Sequence, residues 1–531
     1  MFSSRKSSAP ASGGLTKSLR FRGSASAYLN RTPASAGNRT TWTWSVWVKR
    51  GSLSSLQGMF TAGSDSPNPR GLIEFEAADT IRVGFSDGTT FYLASTTAVF
   101  RDPSSWYHIV VAFDLTNGTN ANRVKLYVNN VLQSFASTPT WPTSAQVFNN
   151  NVVHRIGCYY GATPSNFFDG YMTEVNFIDG QALTPSSFGA TNATTGQWSP
   201  ATYSGTYGTN GFHLTFANTT STTTLGYDTS GNSNNWTTNN ISLTAGSTYD
   251  SMNDVPVAYS ATASNYAVMN PLVSSTGTNS QGNLSVSTAS VNASPATIFA
   301  NTGKWYWEVV WVSGGNYRIG VCNSTGAGQD LGGSANGWAK INSPPRVYNN
   351  GSAPSYGTDG SVGDTFMVAL DLDAGKIWYG INGTWQASGS PSTGANPSQT
   401  FTANQTMSPA VASGSGTLVY NPNFGQQPFT YTPPSGYLAL NTYNIATGTV
   451  TTTGTFTGNS STDGPFVYLN GTPTAMTINA NIVTFGTDAN KLANGFKVIN
   501  SSSLYNLSGT NTYIVTTSGA VLKVSNAQSN P

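Results

Sequence analysis

A period of two along the chain limits its fold more than any other feature. In "TWTWSVWVKRG" the residues Trp42, Trp44, Val46 and Val48 share one side, with Trp47 on the other. Successive side chains of a strand point to opposite faces, so this spacing makes a sheet with one strongly apolar face. The alternation recurs in "SLRFRG", "QGMFTAG", "GLIEFEA", "TIRVGFSDG", "TFYLAS", "WYHIVVAFD" and "RVKLYVNNVLQ". Turn residues separate these runs, and Asn129-Asn130 stand where a tight hairpin needs residues tolerant of positive φ. With no helical period between them, the runs predict an all-β chain of tandem β-sandwiches.

Composition narrows the function classes. Charged residues make up 8% of the chain, against about 25% in an ordinary soluble domain. Aromatics reach 12%, with 56 Gly and 26 Pro, and disordered chains are poor in aromatics. The 531 residues suit roughly three domains. A net charge of +2 gives no field that draws in nucleic acid or an anionic membrane, so neither is expected as a partner. No apolar run is long enough to span a bilayer, and "MFSSRKSSAPASGG" lacks the apolar centre of a signal peptide. Release by cell lysis or assembly inside a cell into a particle is therefore expected, rather than export.

Arg5, Lys6, Lys17, Arg20 and Arg22 read as a short solvated basic arm. Cys158 and Cys322 lie in separate strand-like runs and are expected to be buried free thiols. His108, His154 and His213 stand at unrelated places, so no metal or cofactor is expected. In "DTSGNSNNW", Asp228, Asn232 and Asn234 are expected to make hydrogen-bonded turns rather than a Ca²⁺ loop.

Three family resemblances order the chain. "TWTWSVWVKRG", "SSWYHIVVAFD", "RVKLYVNNVL" and "FFDGYMTEVNFIDGQALTPSSFG" resemble successive strands of laminin-G-like, concanavalin-type jelly rolls over residues 16–189. "GKWYWEVVWVSGGNYRIGVCN", "GDTFMVALDLDAGKIWYGINGTW", "MSPAVASGSGTLVYNPNFGQQPF" and "YTPPSGYLALN" resemble a SPRY domain within residues 261–446. That resemblance implies a bent β-sandwich that binds partners through its loops without catalysis. "NSSTDGPFVYLNGTPTAMTI" and "DANKLANGFKVINSSSLYNLSGTNTYIV" resemble the C-terminal module of bacteriophage structural proteins, the segment between them shortened to "NANIVTFGT". The expected organisation is a flexible attachment arm over residues 1–15, the first sandwich, and a β-rich connecting segment over 190–260. The SPRY-like sandwich follows, and a small β module over 447–531 closes the chain.

Glycanases occur among concanavalin-type sandwiches, so paired carboxylates bear on whether the chain is an enzyme. Glu74 and Glu76 are two apart on a strand and share a face, but Ala78 stands where the glucanase pattern has a third acidic residue. They are expected to form an outward polar face opposite Ile73 and Phe75. Asp371 and Asp373 precede the turn at Ala374-Gly375 and read as hairpin residues. No nucleophile elbow and no P-loop are present, and the chain is expected not to be an enzyme.

Glycan binding needs aromatic faces beside groups that fix hydroxyls. Tyr159 and Tyr160, Trp338 beside Asn336-Gly337, and Tyr348 with Asn349 are the candidate ligand-binding residues. The phage-type resemblance implies a virion surface protein, a tail fibre or appendage that touches a host glycan or protein. The alternatives are a capsid decoration or head fibre protein and, last, a polysaccharide depolymerase. Docking to other virion proteins through the N-terminal arm and a homotrimer are expected, although no heptad run supports a coiled-coil stalk.

Overall fold

The computed structural model describes residues 15–64, 68–192, 196–273 and 277–445, together with the backbone of short strands between 466 and 524. Strand Thr41–Arg50 lies at the middle of the first sandwich, between Trp106–Asp114 and Gly170–Asp179. Trp42, Trp44, Val46 and Val48 enter one core, as the period of two predicts. There Trp42 stacks on Phe113 at 4.3 Å and Trp44 on Phe60 at 5.5 Å between ring centroids. The hairpin at Asn129-Asn130 has φ values of 49° and 67°, the left-handed pair that a two-residue turn requires. The facing sheet runs in the order Thr237–Asn239, Tyr28–Arg31, His154–Ile156, Gln57–Gly63, Arg70–Phe75, Ile81–Ser86 and Phe91–Ser95.

Residues 190–260 do more than connect. Phe212–Leu214 pairs with Gly170–Asp179, Thr237–Asn239 with Tyr28–Arg31, and Ser251–Met252 with Ser18–Phe21. The segment completes both sheets of the first sandwich, and Phe212, Leu214 and Trp236 fill its core.

In the second sandwich, Lys304–Ser313 lies between Leu418–Asn423 and Thr365–Asp371. Met407–Ser415 and Asn316–Asn323 lead the facing sheet. Trp305, Trp307, Val309 and Trp311 point into the core, and Tyr306 lies on the strand's other side, buried with Met367, Ala369 and Trp378 and donating its hydroxyl to Glu308 at 2.9 Å. Asp371 and Asp373 are hairpin residues as expected, accepting from the Ala374 and Gly303 amides at 2.9 and 2.8 Å. Cys158 and Cys322 are buried free thiols, and burial pushes each up to about 12.

The two sandwiches share apolar packing. Trp47, Trp106, Tyr171 and Met252 of the first belong to the same core as Val268, Leu284 and Val286 of the second. Lys49 reaches into this seam fully buried. Its ammonium donates to Asp254 at 2.7 Å and to Asn265 and the Tyr266 carbonyl, both at 2.8 Å. Burial pulls Lys49 down and Asp254 up, and the three acceptors answer the desolvation of the ammonium. Asp169 ties the seam a second time, accepting from the Gly23, Gln281 and Gly282 amides at 3.1, 2.9 and 2.6 Å.

The same region corrects the solvated basic arm. Arg20 and Arg22 are buried and both donate to Asp250, at 3.1 and 2.8 Å, while Lys17 donates to Asn253 at 2.6 Å. Their acceptors lie more than 200 residues away, beyond the reach of any local reading of charge. Arg5, Lys6 and the rest of residues 1–14 lie outside the described residues, as does the 447–531 module apart from its strand backbones.

Replacing Asp254 with Asn leaves the Lys49 ammonium buried without a counter-charge. The expected loss is about 3–5 kcal/mol of unfolding free energy. Because the core is shared, the loss should appear in one cooperative transition. Denaturant unfolding followed by tryptophan fluorescence and circular dichroism checks both points, and two separate wild-type transitions would break the shared-core account.

Candidate functional site

The sheet of the first sandwich that faces away from the seam turns Phe60, Ile73, Phe75 and Val83 to the core. Alternation then places Arg70, Leu72 and Glu74 on its outer side, with Arg82 paired opposite Glu74. A loop after strand His154–Ile156 crosses this outer side. The Cys158 carbonyl accepts from the Thr61 hydroxyl at 3.0 Å, the Gly161 carbonyl from Arg155 at 2.8 Å, and the Asn166 carbonyl from the Gly58 amide at 3.0 Å. Any side chain at Gly58 would collide with the Cys158 carbonyl, so a glycine there lets the loop lie on the sheet.

The loop delivers two of the predicted residues. Tyr159 and Tyr160 stack with ring centroids 4.1 Å apart, and the Tyr159 hydroxyl donates to that of Tyr160 at 2.9 Å. Tyr159 is half-buried and Tyr160 mostly covered. The Arg70 guanidinium lies 5.5 Å from the Tyr160 ring and 4.5 Å from that of Phe91, which stands on the edge strand and is 46% exposed. Glu74 and Glu76 both engage Arg82, the latter at 3.1 Å. Ile73 and Phe75 face the core opposite them as expected, but Glu74 is fully buried rather than outward in solvent. Burial pushes its carboxyl up to about 7, against the pull of Arg82.

Several buried polar atoms on this face find no hydrogen-bond partner among the described residues: Arg70 Nε and Nη1, Glu74 Oε2 and Arg155 Nη1. Buried polar groups are nearly always paired, so ordered water or a bound group would complete these atoms. Stacked rings beside unsatisfied donors are the elements of saccharide recognition, since C–H faces pack on aromatics while hydroxyls take hydrogen bonds.

The other candidates lie elsewhere. Trp338 is in strand Gly337–Ile341, not a loop; it is 6% exposed and packs in the second core against Phe401 at 5.6 Å. Alternation within that strand turns Trp338 inward and Ala339 outward, so it is a core residue and not a contact residue. Tyr348 ends strand Arg346–Tyr348 with the Arg318 guanidinium 5.3 Å from its ring. Asn349 donates its side-chain amide to the Gly337 carbonyl at 2.8 Å and pins the turn to Ser352. Asp228 accepts from His213 and Ser230 amides at 2.8 Å, while Asn232 and Asn234 donate to the Gly211 carbonyl at 2.9 and 2.8 Å, the hydrogen-bonded turns expected there. Sequence reading missed Arg70, Phe91 and Arg82, which become neighbours of Tyr159-Tyr160 only across strand pairing.

Residues 22–187 match the concanavalin A-like lectin/glucanases superfamily in its laminin G type, and residues 304–427 match the SPRY domain. The chain contains a laminin G-like domain and a SPRY domain. Their presence suggests a binding role. Similar solved structures include a heptameric SAP-like pentraxin from Limulus polyphemus, at 16% identity over 32% of this chain and 79% of that one, with a TM-score of 0.25. The SPRY domain of human HERC1 is 16% identical over 29% of this chain and 96% of its own, at 0.24. The TRIM65 PSpry domain is 17% identical over 30% and 90%, also at 0.24. No curated protein matches the chain.

Glu74 gives the laminin G-like domain a pH signature. Its carboxyl titrates near 4.5 when free and about 7 in the fold, so the folded state holds that proton more tightly. The resulting stability is fully present below the free value and lost as pH rises through the folded one. Glu74→Gln should therefore gain stability relative to wild type between pH 5 and pH 8. Urea unfolding at both pH values reads this, and a difference that stays constant with pH would contradict it.

Proposed function

We propose that this chain is a surface protein of a bacteriophage particle, a tail fibre or appendage component, and that its laminin G-like domain holds a host glycan. The stacked Tyr159-Tyr160 pair beside Phe91 and Arg70, on the sheet face turned away from the second sandwich, carries the glycan reading. The particle setting rests on the ending "LANGFKVINSSSLYNLSGTNTYI" and on the order of the domains. In this reading the N-terminal arm docks to other virion proteins, the chain assembles as a homotrimer, and the finished particle displays it at the surface.

Contact occurs without turnover. Glycoside hydrolysis needs two carboxyl groups flanking the scissile bond. Here the nearby pair, Glu74 and Glu76, are both tied to Arg82, and Glu74 is fully covered.

The full chain, titrated against a panel of bacterial surface polysaccharides, should bind at least one of them. Tyr159→Ala and Phe91→Ala should each weaken that binding about tenfold, or ~1.4 kcal/mol, with unchanged circular dichroism. Binding that ignores both substitutions would move the site elsewhere. Binding to no polysaccharide would favour a decoration role, and release of reducing ends would favour a depolymerase.

A further inference from the structure

Among the described residues, buried cations donate to a carboxylate or to a backbone carbonyl, as Lys340 does to that of Tyr356 at 3.2 Å and Arg155 to that of Gly161 at 2.8 Å, and Arg70 departs from this. Arg20 and Arg22 meet Asp250, Lys49 meets Asp254, and Arg50 meets Asp79. Arg70 is just as enclosed, at 8% exposed, yet among the described residues no carboxylate, carbonyl or hydroxyl accepts from it. Its contacts are the ring faces of Phe91 and Tyr160. Cation–π attraction offsets part of the cost of removing a charge from water, but leaves the N–H groups unsatisfied.

Among the described residues, charge on the surrounding face does not fill the gap. Arg82 occupies both Glu74 and Glu76, and Arg155 adds a further cation whose Nη1 is unpaired. The unmet groups around Arg70 are thus mainly donors, and they call for an acceptor with negative charge. A guanidinium presents N–H groups in a planar fork that matches the two oxygens of a carboxylate through parallel hydrogen bonds. Phe91 lies on the edge strand with nearly half its surface in solvent. Exposed side chains change rotamer in picoseconds to nanoseconds, so its ring can swing aside and uncover the fork.

We propose that the saccharide held on this face is a sugar acid whose carboxylate seats on Arg70 while its ring packs on Tyr159 or Phe91. This rests on the reading of the face as a glycan site. Arg155 lies on the same outer side, where its unpaired Nη1 adds to the donor excess.

The test uses the full chain and calorimetric titration with paired probes. Oligogalacturonate, a hyaluronan fragment and sialyllactose are each compared with their methyl esters, beside maltohexaose, cellohexaose and heparin. At least one free acid should bind, and its methyl ester should bind ten times more weakly or worse. Arg70→Gln should reduce the acid to the level of its ester. Arg70→Lys, which keeps the charge but loses the fork, should recover only part of the difference. Without ligand, Arg70→Gln should melt no lower than wild type, because no carboxylate among the described residues pairs with the charge it removes.

Equal binding of acid and ester, or binding of neutral oligosaccharides alone, would overturn the carboxylate while leaving the face a glycan site. Heparin binding as tightly as the best carboxylate probe would replace the carboxylate with a less selective anion site. Arg70→Gln that keeps the acid preference would remove Arg70 from the role. Failure of every acidic and neutral probe would overturn this proposal and the glycan reading together.

Discussion

Strand Thr41–Arg50 is covered on both sides, and the rest of the molecule is arranged around that double burial. Its even side buries Trp42, Trp44, Val46 and Val48 in the first sandwich. Its odd side carries Trp47 and Lys49, which an isolated sandwich would leave in water. Trp47 instead enters the core of the second sandwich, and Lys49 finds Asp254, Asn265 and the Tyr266 carbonyl. An ion pair taken out of water contributes little net stability. Its value here is geometric, because a buried ammonium with three fixed acceptors tolerates one docking of the two sandwiches. Asp169, receiving the Gln281 and Gly282 amides across the same seam and that of Gly23 from its own side, adds a second fixed point.

That arrangement decides which face stays open. One sheet of the first sandwich is committed to the seam, so the outer side of the other is left for contact. Gly58 then lets the loop from Cys158 to Asn166 lie flat on it, bringing two tyrosines over a sheet that carries three arginines and a buried glutamate. The face combines ring surfaces, unsatisfied donors and a carboxyl lifted to about 7 by burial. In an apolar core such polar groups would be a defect. On a recognition surface they are unmet valences, held ready by a rigid frame.

Much of the fold was legible. The alternation that put Trp42, Trp44, Val46 and Val48 on one side, the Asn129-Asn130 hairpin and the buried thiols all depend on neighbours within a few residues. The site was half legible. Tyr159 and Tyr160 stood out as adjacent aromatics, but Arg70, Phe91 and Arg82 become their neighbours only through strand pairing and the loop's path. Trp338 misled because Asn336-Gly337 does form a turn, yet the strand that follows carries the indole inward. Arg20 and Arg22 misled for a related reason: a basic cluster near an end reads as solvated unless its distant counter-ion is known.

By itself the sequence determined an all-β chain, because side-chain periodicity and turn chemistry act over two to four residues, while its longer motifs carried the resemblance to a laminin G-like and a SPRY domain. Tertiary structure alone decided that residues 190–260 complete the first sandwich, that Lys49 locks two sandwiches together, and that Arg70 lies buried with no counter-ion among the described residues. Burial and pairing belong to neighbours brought together across tens to hundreds of residues, and no local pattern records which of those neighbours will meet.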